Sequence, residues 1–180
     1  VYVYAPQLMD GFESNREILF EMEGFHSHVS VSEKSDVRSL RINGKTDGSD
    51  GGDLSTQSLL AVLPMIHLDK PEEVLIIGLG TGVTAGSALN FPDARVACVE
   101  IDDAVIKASH FFNHVSGNPW ENNRFEIVAA DARTVLSAKG NDYDVIISEP
   151  SNPWITGVSN LFTMEYFKSC YSRLSENGVM

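Results

Sequence analysis

The stretch VLIIGLGTG at residues 74–82 decides the fold of this chain. Its first four residues are a continuous apolar run, which is typical of a strand buried on both faces of a sheet. The glycines that follow let the backbone turn sharply before a predicted helix at 83–90, and they let a ligand approach closely. The candidate binding residues in this turn are Gly78, Gly80, Thr81 and Gly82. An ordinary tight turn would need similar glycines, but the strand–turn–helix setting favours nucleoside or nucleotide binding.

Strands and helices alternate beyond this turn. The pattern predicts strands at 95–101, 125–129 and 144–148, helices at 103–115, 132–138 and 159–174, and a further strand beginning at 178–180. Such alternation predicts an α/β domain with a parallel sheet and right-handed crossovers. We assign residues 53–180 to this nucleoside-binding domain.

The N-terminal part has a different pattern. Residues 16–43 alternate apolar and polar side chains, and Asn43-Gly44 is a strong turn signal, so a small antiparallel sheet is predicted within residues 1–52. The run TDGSDGGD at 46–53 predicts a loop. The helix that follows is expected to begin near Asp53 or Ser55 and to kink or end at Pro64.

Acidic residues follow two of the predicted strands. Glu100 ends the second strand of the α/β domain, where a carboxylate can accept hydrogen bonds from ribose hydroxyls. Asp131, followed by Ala132, ends the third strand and could accept a bond from the exocyclic amine of adenine. An N-cap on the next helix is an equally good interpretation of Asp131, and the two roles can coexist. Helix capping explains Asp102 and Asp103 better.

The segment SEPSNPW at 148–154 follows the fourth strand. Its prolines exclude a helix start, so Glu149, Asn152 and Trp154 are presented on a stiff loop at the edge of the sheet. Glu149 could contact or deprotonate an amine. The alternative is a rigid loop with Trp154 as a lid or a packing residue.

The composition narrows the partners. The net charge is −12 and the pI is near 4.7, so nucleic acid is an improbable partner, whereas a cationic amine would be attracted. The two cysteines suggest neither a disulfide framework nor a zinc site, and the histidine pair at 110 and 114 lacks the glutamate of a zinc-protease motif. No apolar stretch is long enough to span a membrane. We expect a protein without a metal that is cytoplasmic, or that lies on the cytoplasmic face of a membrane as part of a longer parent chain.

Taken together, these motifs resemble the spermidine synthase (aminopropyltransferase) family from residue 13 to residue 180. The shared features are the N-terminal sheet, Asn43-Gly44, VLIIGLGTG, VEID, the Asp-Ala pair after the third strand, YDVII and LFTMEYF. The resemblance implies a class I methyltransferase-like (Rossmann-like) fold and often a homodimer. It also implies that the last strands of the fold lie beyond residue 180.

The chain departs from that family at its acids. Thr81, Glu149 and Asn152 stand where the synthases carry aspartates, and Thr56-Gln57-Ser58 stands for Tyr-His-Glu. Glu17 stands for a glutamine. The family's acids at these positions hold the aminopropyl ammonium and the acceptor amine. The residue sequences of several motifs are similar to those of the spermidine-synthase-like branch, whose domains are often fused to membrane segments.

The resemblance predicts a transferase that binds decarboxylated S-adenosylmethionine or S-adenosylmethionine. The predicted binding residues are Gln57, Gly78, Gly80, Thr81, Gly82, Glu100, Asp131 and Ala132, and the predicted catalytic residues are Glu149 and Asn152. Aminopropyl transfer to a polyamine is the expected reaction. Methyl transfer and a non-catalytic nucleoside or polyamine sensor are the alternatives. An NAD-dependent oxidoreductase is a third, because Gly80 to Ala85 matches G-x-G-x-x-A.

Overall fold

The computed structural model describes residues 16–24, 27–138, 140, 142–149 and 158–180. An antiparallel N-terminal sheet has the strand order β1-β2-β3-β4, where the strands are β1 (Glu17–Glu23), β2 (His28–Lys34), β3 (Val37–Ile42) and β4 (Lys45–Ser49). The predicted small antiparallel sheet is therefore confirmed.

A second sheet, called here the main sheet, is parallel throughout. Its strands are β5 (Glu73–Ile77), β6 (Arg95–Glu100), β7 (Phe125–Ala129), β8 (Tyr143–Ser148) and β9 (Leu174–Val179), in the order β7-β6-β5-β8-β9. The helices are α1 (Leu54–Met65), α2 (Val83–Ala88), α3 (Asp103–Ser109), α4 (Asn113–Ser116), α5 (Ala132–Ser137) and α6 (Met164–Tyr171). The predicted Rossmann-like α/β class is confirmed.

Helices cover both faces of the main sheet because its central strand is apolar on both sides. Val74 and Ile76 pack with buried side chains of α1 and α2, whereas Leu75 and Ile77 pack with those of α5 and α6. Successive side chains of a strand point to opposite faces, so one apolar run supplies both layers of core. From β5 the chain adds β6 and then β7 on one side, and it next adds β8 and β9 on the other side of β5. This switch in strand order opens a crevice at the carboxyl ends of the strands.

The N-terminal sheet packs on α3. Val29, Val31, Leu40 and Ile42 are buried against α3 and the 3₁₀ turn His110–Phe112. The loop between β1 and β2 adds a polar contact, since the Ser27 hydroxyl donates to Asp102 over 2.8 Å. This packing brings β4 and the start of α1 to the crevice.

Four predicted elements differ from the structure. The strand expected to begin at 178 is β9, which begins four residues earlier, at Leu174. The first half of the predicted loop at 46–53 is strand β4, because Asn43 and Gly44 adopt positive φ angles of 50° and 78° and form a hairpin with β3. The predicted helix at 103–115 is interrupted by a 3₁₀ turn. The predicted helix at 159–174 is shorter, because Thr163 caps α6 and the chain turns into β9 after Arg173.

Two other observations concern helices. Helix α1 contains Pro64 and ends at Met65, one residue after this proline, which confirms the predicted end of the helix. Among the residues that the structure describes, no helix combines the length and the apolar character needed to cross a membrane.

Candidate active site

The predicted site residues meet at one edge of the main sheet. Because the strands are parallel, the carboxyl ends of β7, β6, β5 and β8 follow one another along that edge. They carry Asp131, Glu100, the glycine turn and Glu149, in that spatial order. The turn is therefore flanked by acids on both sides.

The glycine turn leaves β5 with a backbone that only glycine adopts readily. Gly80 and Gly82 have φ angles of 53° and 82°, in the left-handed region. The Gly82 N–H donates to the carbonyl of Leu79, and Gly82 is also the N-cap of α2. A side chain at either position would strain the turn, so the glycines preserve the close approach that the sequence predicts.

Glu100 closes one side of the turn. Its Oε2 accepts the Leu79 N–H and its Oε1 accepts the Asp102 N–H, each over 3.0 Å. Burial raises the pKa of Glu100, and these backbone donors oppose the rise. The Ile101 N–H opposes the rise as well. A carboxylate accepts about four hydrogen bonds, so it has room for an incoming hydroxyl beside these three donors. The ribose role of Glu100 stays a prediction.

Asp131 caps α5. Its carboxylate accepts the Arg133 N–H over 2.8 Å and forms an ion pair with the Arg133 guanidinium over 2.6 Å. The capping interpretation is confirmed, whereas the adenine contact stays a prediction. Ala132 is buried among the side chains between α5 and the main sheet.

A second group of side chains lies on the other side of the turn. The buried Thr81 hydroxyl donates to Oε1 of Gln57, a residue of α1 that is itself buried. The Gln57 amide donates to the carbonyl of Ser49 and to Asp53, each over 2.9 Å. Thr81 stands at a position where the resemblance places an aspartate, and Gln57 stands within the segment that corresponds to Tyr-His-Glu. These two neutral side chains are bonded to each other.

Glu149 is held by the helix that follows the glycine turn. Its N–H continues the ladder of the main sheet by donating to Ile77, and its Oε2 accepts the Thr84 hydroxyl over 2.9 Å. Partial burial raises the pKa of Glu149, and the negative charges of Asp47 and Asp53 add to the rise. The Thr84 hydrogen bond acts in the opposite direction.

No role was predicted for Asp47, although it lies in the acid-rich run TDGSDGGD. This residue is exposed at the surface, but neighbouring protein atoms displace part of its hydration, and this desolvation raises its pKa to about 6. Asp53, a predicted helix cap, turns its carboxylate towards β4 and accepts the Ser49 N–H over 3.0 Å. Asp47, Asp53 and Glu149 therefore form an acidic group. The feature of the sequence that could have indicated this acidic group is the run of aspartates just before α1.

Some predicted features lie elsewhere. Asn152 and Trp154 lie outside the described residues. His110 stacks on Trp120 with ring centroids 4.3 Å apart, and His114 contacts Asp50 over 2.9 Å. Within the described ranges, no group of His, Cys, Asp and Glu side chains is arranged to hold a metal ion.

Comparison with known proteins agrees with this arrangement. Residues 53–180 match the spermine/spermidine synthase domain. The chain belongs to this family. It is 28% identical over 167 residues to a polyamine aminopropyltransferase of Clostridium botulinum, with 92% of this chain and 58% of that relative covered. A polyamine aminopropyltransferase of Prochlorococcus marinus is 30% identical over 174 residues, with 94% and 61% covered.

Solved structures lead to the same family. A spermidine synthase in complex with the transition state analogue AdoDATO has a TM-score of 0.83 and 27% identity, with 89% of this chain and 56% of that chain covered. The spermidine synthase from Thermotoga maritima has a TM-score of 0.80 and 27% identity, over 89% and 55% of the two chains. The chain thus spans between half and two thirds of the length of these relatives.

Proposed function

We propose that this family member transfers the aminopropyl group of decarboxylated S-adenosylmethionine to an amine. The observation that carries the proposal is the acidic group of Asp47, Asp53 and Glu149 beside the glycine turn. A carboxylate in that place attracts a cationic amine and can also accept a proton from it. The relatives' names, polyamine aminopropyltransferase and spermidine synthase, support the same reaction.

The site divides into two parts in this proposal. In the nucleoside half, which is Glu100 and Asp131 with the ends of β6 and β7, the ribose and the adenine would bind. In the amine half, which is Gln57, Thr81, Thr84 and Glu149 with Asp47 and Asp53, the sulfonium tail and the acceptor would meet. Gly78, Gly80 and Gly82 would lie between the halves and allow the tail to pass.

The reaction needs little chemistry from the protein, because a sulfonium is already a good leaving group. The lone pair of the acceptor nitrogen attacks the aminopropyl carbon bonded to sulfur. A new C–N bond forms while the C–S bond breaks, and the bonding electrons return to sulfur to give a neutral thioether. A cationic amine has no free lone pair, so before the attack it gives one proton to the Glu149 carboxylate. Orientation of the two substrates supplies most of the rate.

The acceptor class follows from charge. Three carboxylates within one part of the crevice favour an acceptor with more than one amino group, such as a diamine or a longer polyamine.

Cytoplasmic location, a homodimer and a membrane segment in a longer parent chain stay predictions from the sequence.

A non-catalytic sensor is the second candidate, and the Thr81–Gln57 pair favours it. Both side chains are neutral and buried, and they are bonded to each other where the resemblance places a histidine and an aspartate in the synthases. A site with fewer acids would bind a nucleoside or a polyamine without driving transfer.

The deciding experiment incubates the full-length protein with decarboxylated S-adenosylmethionine and a series of diamines and polyamines. Chromatography measures the thioether nucleoside that transfer releases. Amine-dependent release supports the proposed function, and its loss in Glu149→Gln assigns the proton acceptor. Tight binding of either substrate without any release in the presence of every amine would contradict transfer and support the sensor.

A further inference from the structure

The Thr84 hydroxyl lies between two acceptors. Its Oγ1 is 2.9 Å from Oε2 of Glu149 and 3.0 Å from the backbone carbonyl of Gln57. Thr84 is 3% exposed, so water has little access to replace either contact. A hydroxyl has one proton to donate and two lone pairs that accept. Thr84 can therefore donate to only one of the two oxygens at a time.

The choice between these acceptors depends on the proton of Glu149. When Glu149 is ionised, the charge-assisted bond to its carboxylate is the stronger one, and Thr84 donates there. When Oε2 of Glu149 carries the proton, the carboxylic acid donates to Thr84, and the hydroxyl rotates to donate to Gln57. In both states every proton between the three groups has an acceptor, and no heavy atom moves.

We propose that Thr84 is a positioning residue that keeps the Glu149 carboxyl group in one place before and after it accepts the proton of the amine. This inference rests on the proposed function and concerns the same site. A proton acceptor without such a partner would lose its hydrogen bond on protonation and would be free to turn away. Thr84 prevents this by exchanging the role of donor for that of acceptor.

The charges around Glu149 set the direction of the test. Asp47 from β4 and Asp53 from the start of α1 disfavour its ionised form, as does burial, and Cys98 lies within electrostatic range on β6. The Thr84 bond favours the ionised form. Removal of this hydroxyl must therefore raise the pKa of Glu149. As the pH is lowered, Glu149 then becomes protonated, and stops acting as a proton acceptor, at a higher pH than in the unchanged protein.

The test compares Thr84→Val and Thr84→Ala, which remove the hydroxyl, with Thr84→Ser, which keeps it. Carbon-detected NMR of full-length protein labelled at glutamate carboxyls follows the titration of Glu149, and Glu149→Gln identifies its resonance. We expect the acid dissociation constant of Glu149 to fall roughly threefold to tenfold in the valine and alanine variants. The serine variant should titrate like the unchanged protein. Unfolding curves of all three show which variants fold.

The pH dependence of kcat/KM should follow the titration. Its acidic limb moves to higher pH in the valine or alanine variant and stays in place in the serine variant. Equal titration of Glu149 in all variants, or an equal shift in the serine and valine variants, would overturn the inference. A protein without transferase activity would contradict the proposed function instead, while the NMR titration would still decide whether Thr84 holds the carboxyl group.

Discussion

The two halves of the site are built differently. In the nucleoside half, Glu100 and Asp131 bond to backbone N–H groups within two residues of themselves or in the adjoining glycine turn. In the amine half, Gln57, Thr81 and Glu149 depend on side chains from three separate parts of the chain. The first half is thus fixed by strand ends, and the second by contacts between α1, α2, β4 and β8. We expect side chains of the amine half to differ more between family members than those of the nucleoside half. We also expect the amine half to determine which group is transferred and to which acceptor.

Glu149→Gln should have the largest effect. The amide keeps the size and a polar contact to Thr84 but cannot accept a proton, so kcat should fall about 100-fold or more. Steady-state assays of thioether release measure the loss. Glu165→Gln, at an exposed position in the first turn of α6, is the matched control and should keep full activity. Unchanged kcat in Glu149→Gln would mean that the amine half supplies no base.

Glu100→Gln should act on binding rather than on kcat. One amide oxygen cannot serve both the Leu79 and Asp102 N–H groups and a ribose, so affinity for the nucleoside should fall about tenfold. Titration calorimetry gives the affinity, and denaturant unfolding gives the accompanying loss of stability. Asp103→Asn on the exposed side of the same helix start is the control. A fall in kcat with unchanged affinity would contradict the assignment of Glu100 to nucleoside binding.

Substitutions of Asp131 should separate the cap from ligand binding. Asp131→Ala removes the N-cap of α5 and should lower the free energy of unfolding by about 1 kcal/mol, whereas Asp131→Asn keeps a capping oxygen and should cost less. Urea unfolding measures both. If the carboxylate also binds adenine, the asparagine variant should lose affinity while it keeps its stability. Equal stability of the alanine variant and the unchanged protein would contradict the capping role.

Asp47 should produce the smallest effect, a change in the pH dependence of stability. Its pKa is raised by desolvation from 3.8 to about 6, so the folded state binds the proton more tightly than the unfolded chain. The stability that this protonation contributes is present below pH 3.8 and is lost as the pH rises through about 6. Asp47→Asn should remove this part of the slope.

Thermal unfolding between about pH 4 and pH 7 would compare this variant with Asp36→Asn, a substitution in the exposed turn between β2 and β3. The Asp36 variant should keep the slope of the unchanged protein. Parallel pH profiles of the Asp47 variant and the unchanged protein would show that Asp47 is solvated like an ordinary surface acid.

The nucleoside half could be predicted from the sequence, and the amine half only in part. An apolar run, a glycine turn and an acid at the next strand end place Gly80 and Glu100 at one sheet edge, because parallel strands share that edge. The Thr84–Glu149 bond joins residues that are 65 positions apart, and local pattern contains no information about such pairs. Strand β4 was missed because its glycine and aspartates are typical of loops, although pairing with β3 makes them a strand.

Calorimetric titration of the full-length protein with decarboxylated S-adenosylmethionine, with S-adenosylmethionine and NAD for comparison, shows whether this site selects an aminopropyl donor. The acids of the amine half should repel the carboxylate of S-adenosylmethionine and attract the aminopropyl ammonium. We therefore expect tighter binding of the decarboxylated ligand and a loss of that preference in Glu149→Gln. Equal binding of both ligands, or binding of neither, would contradict it.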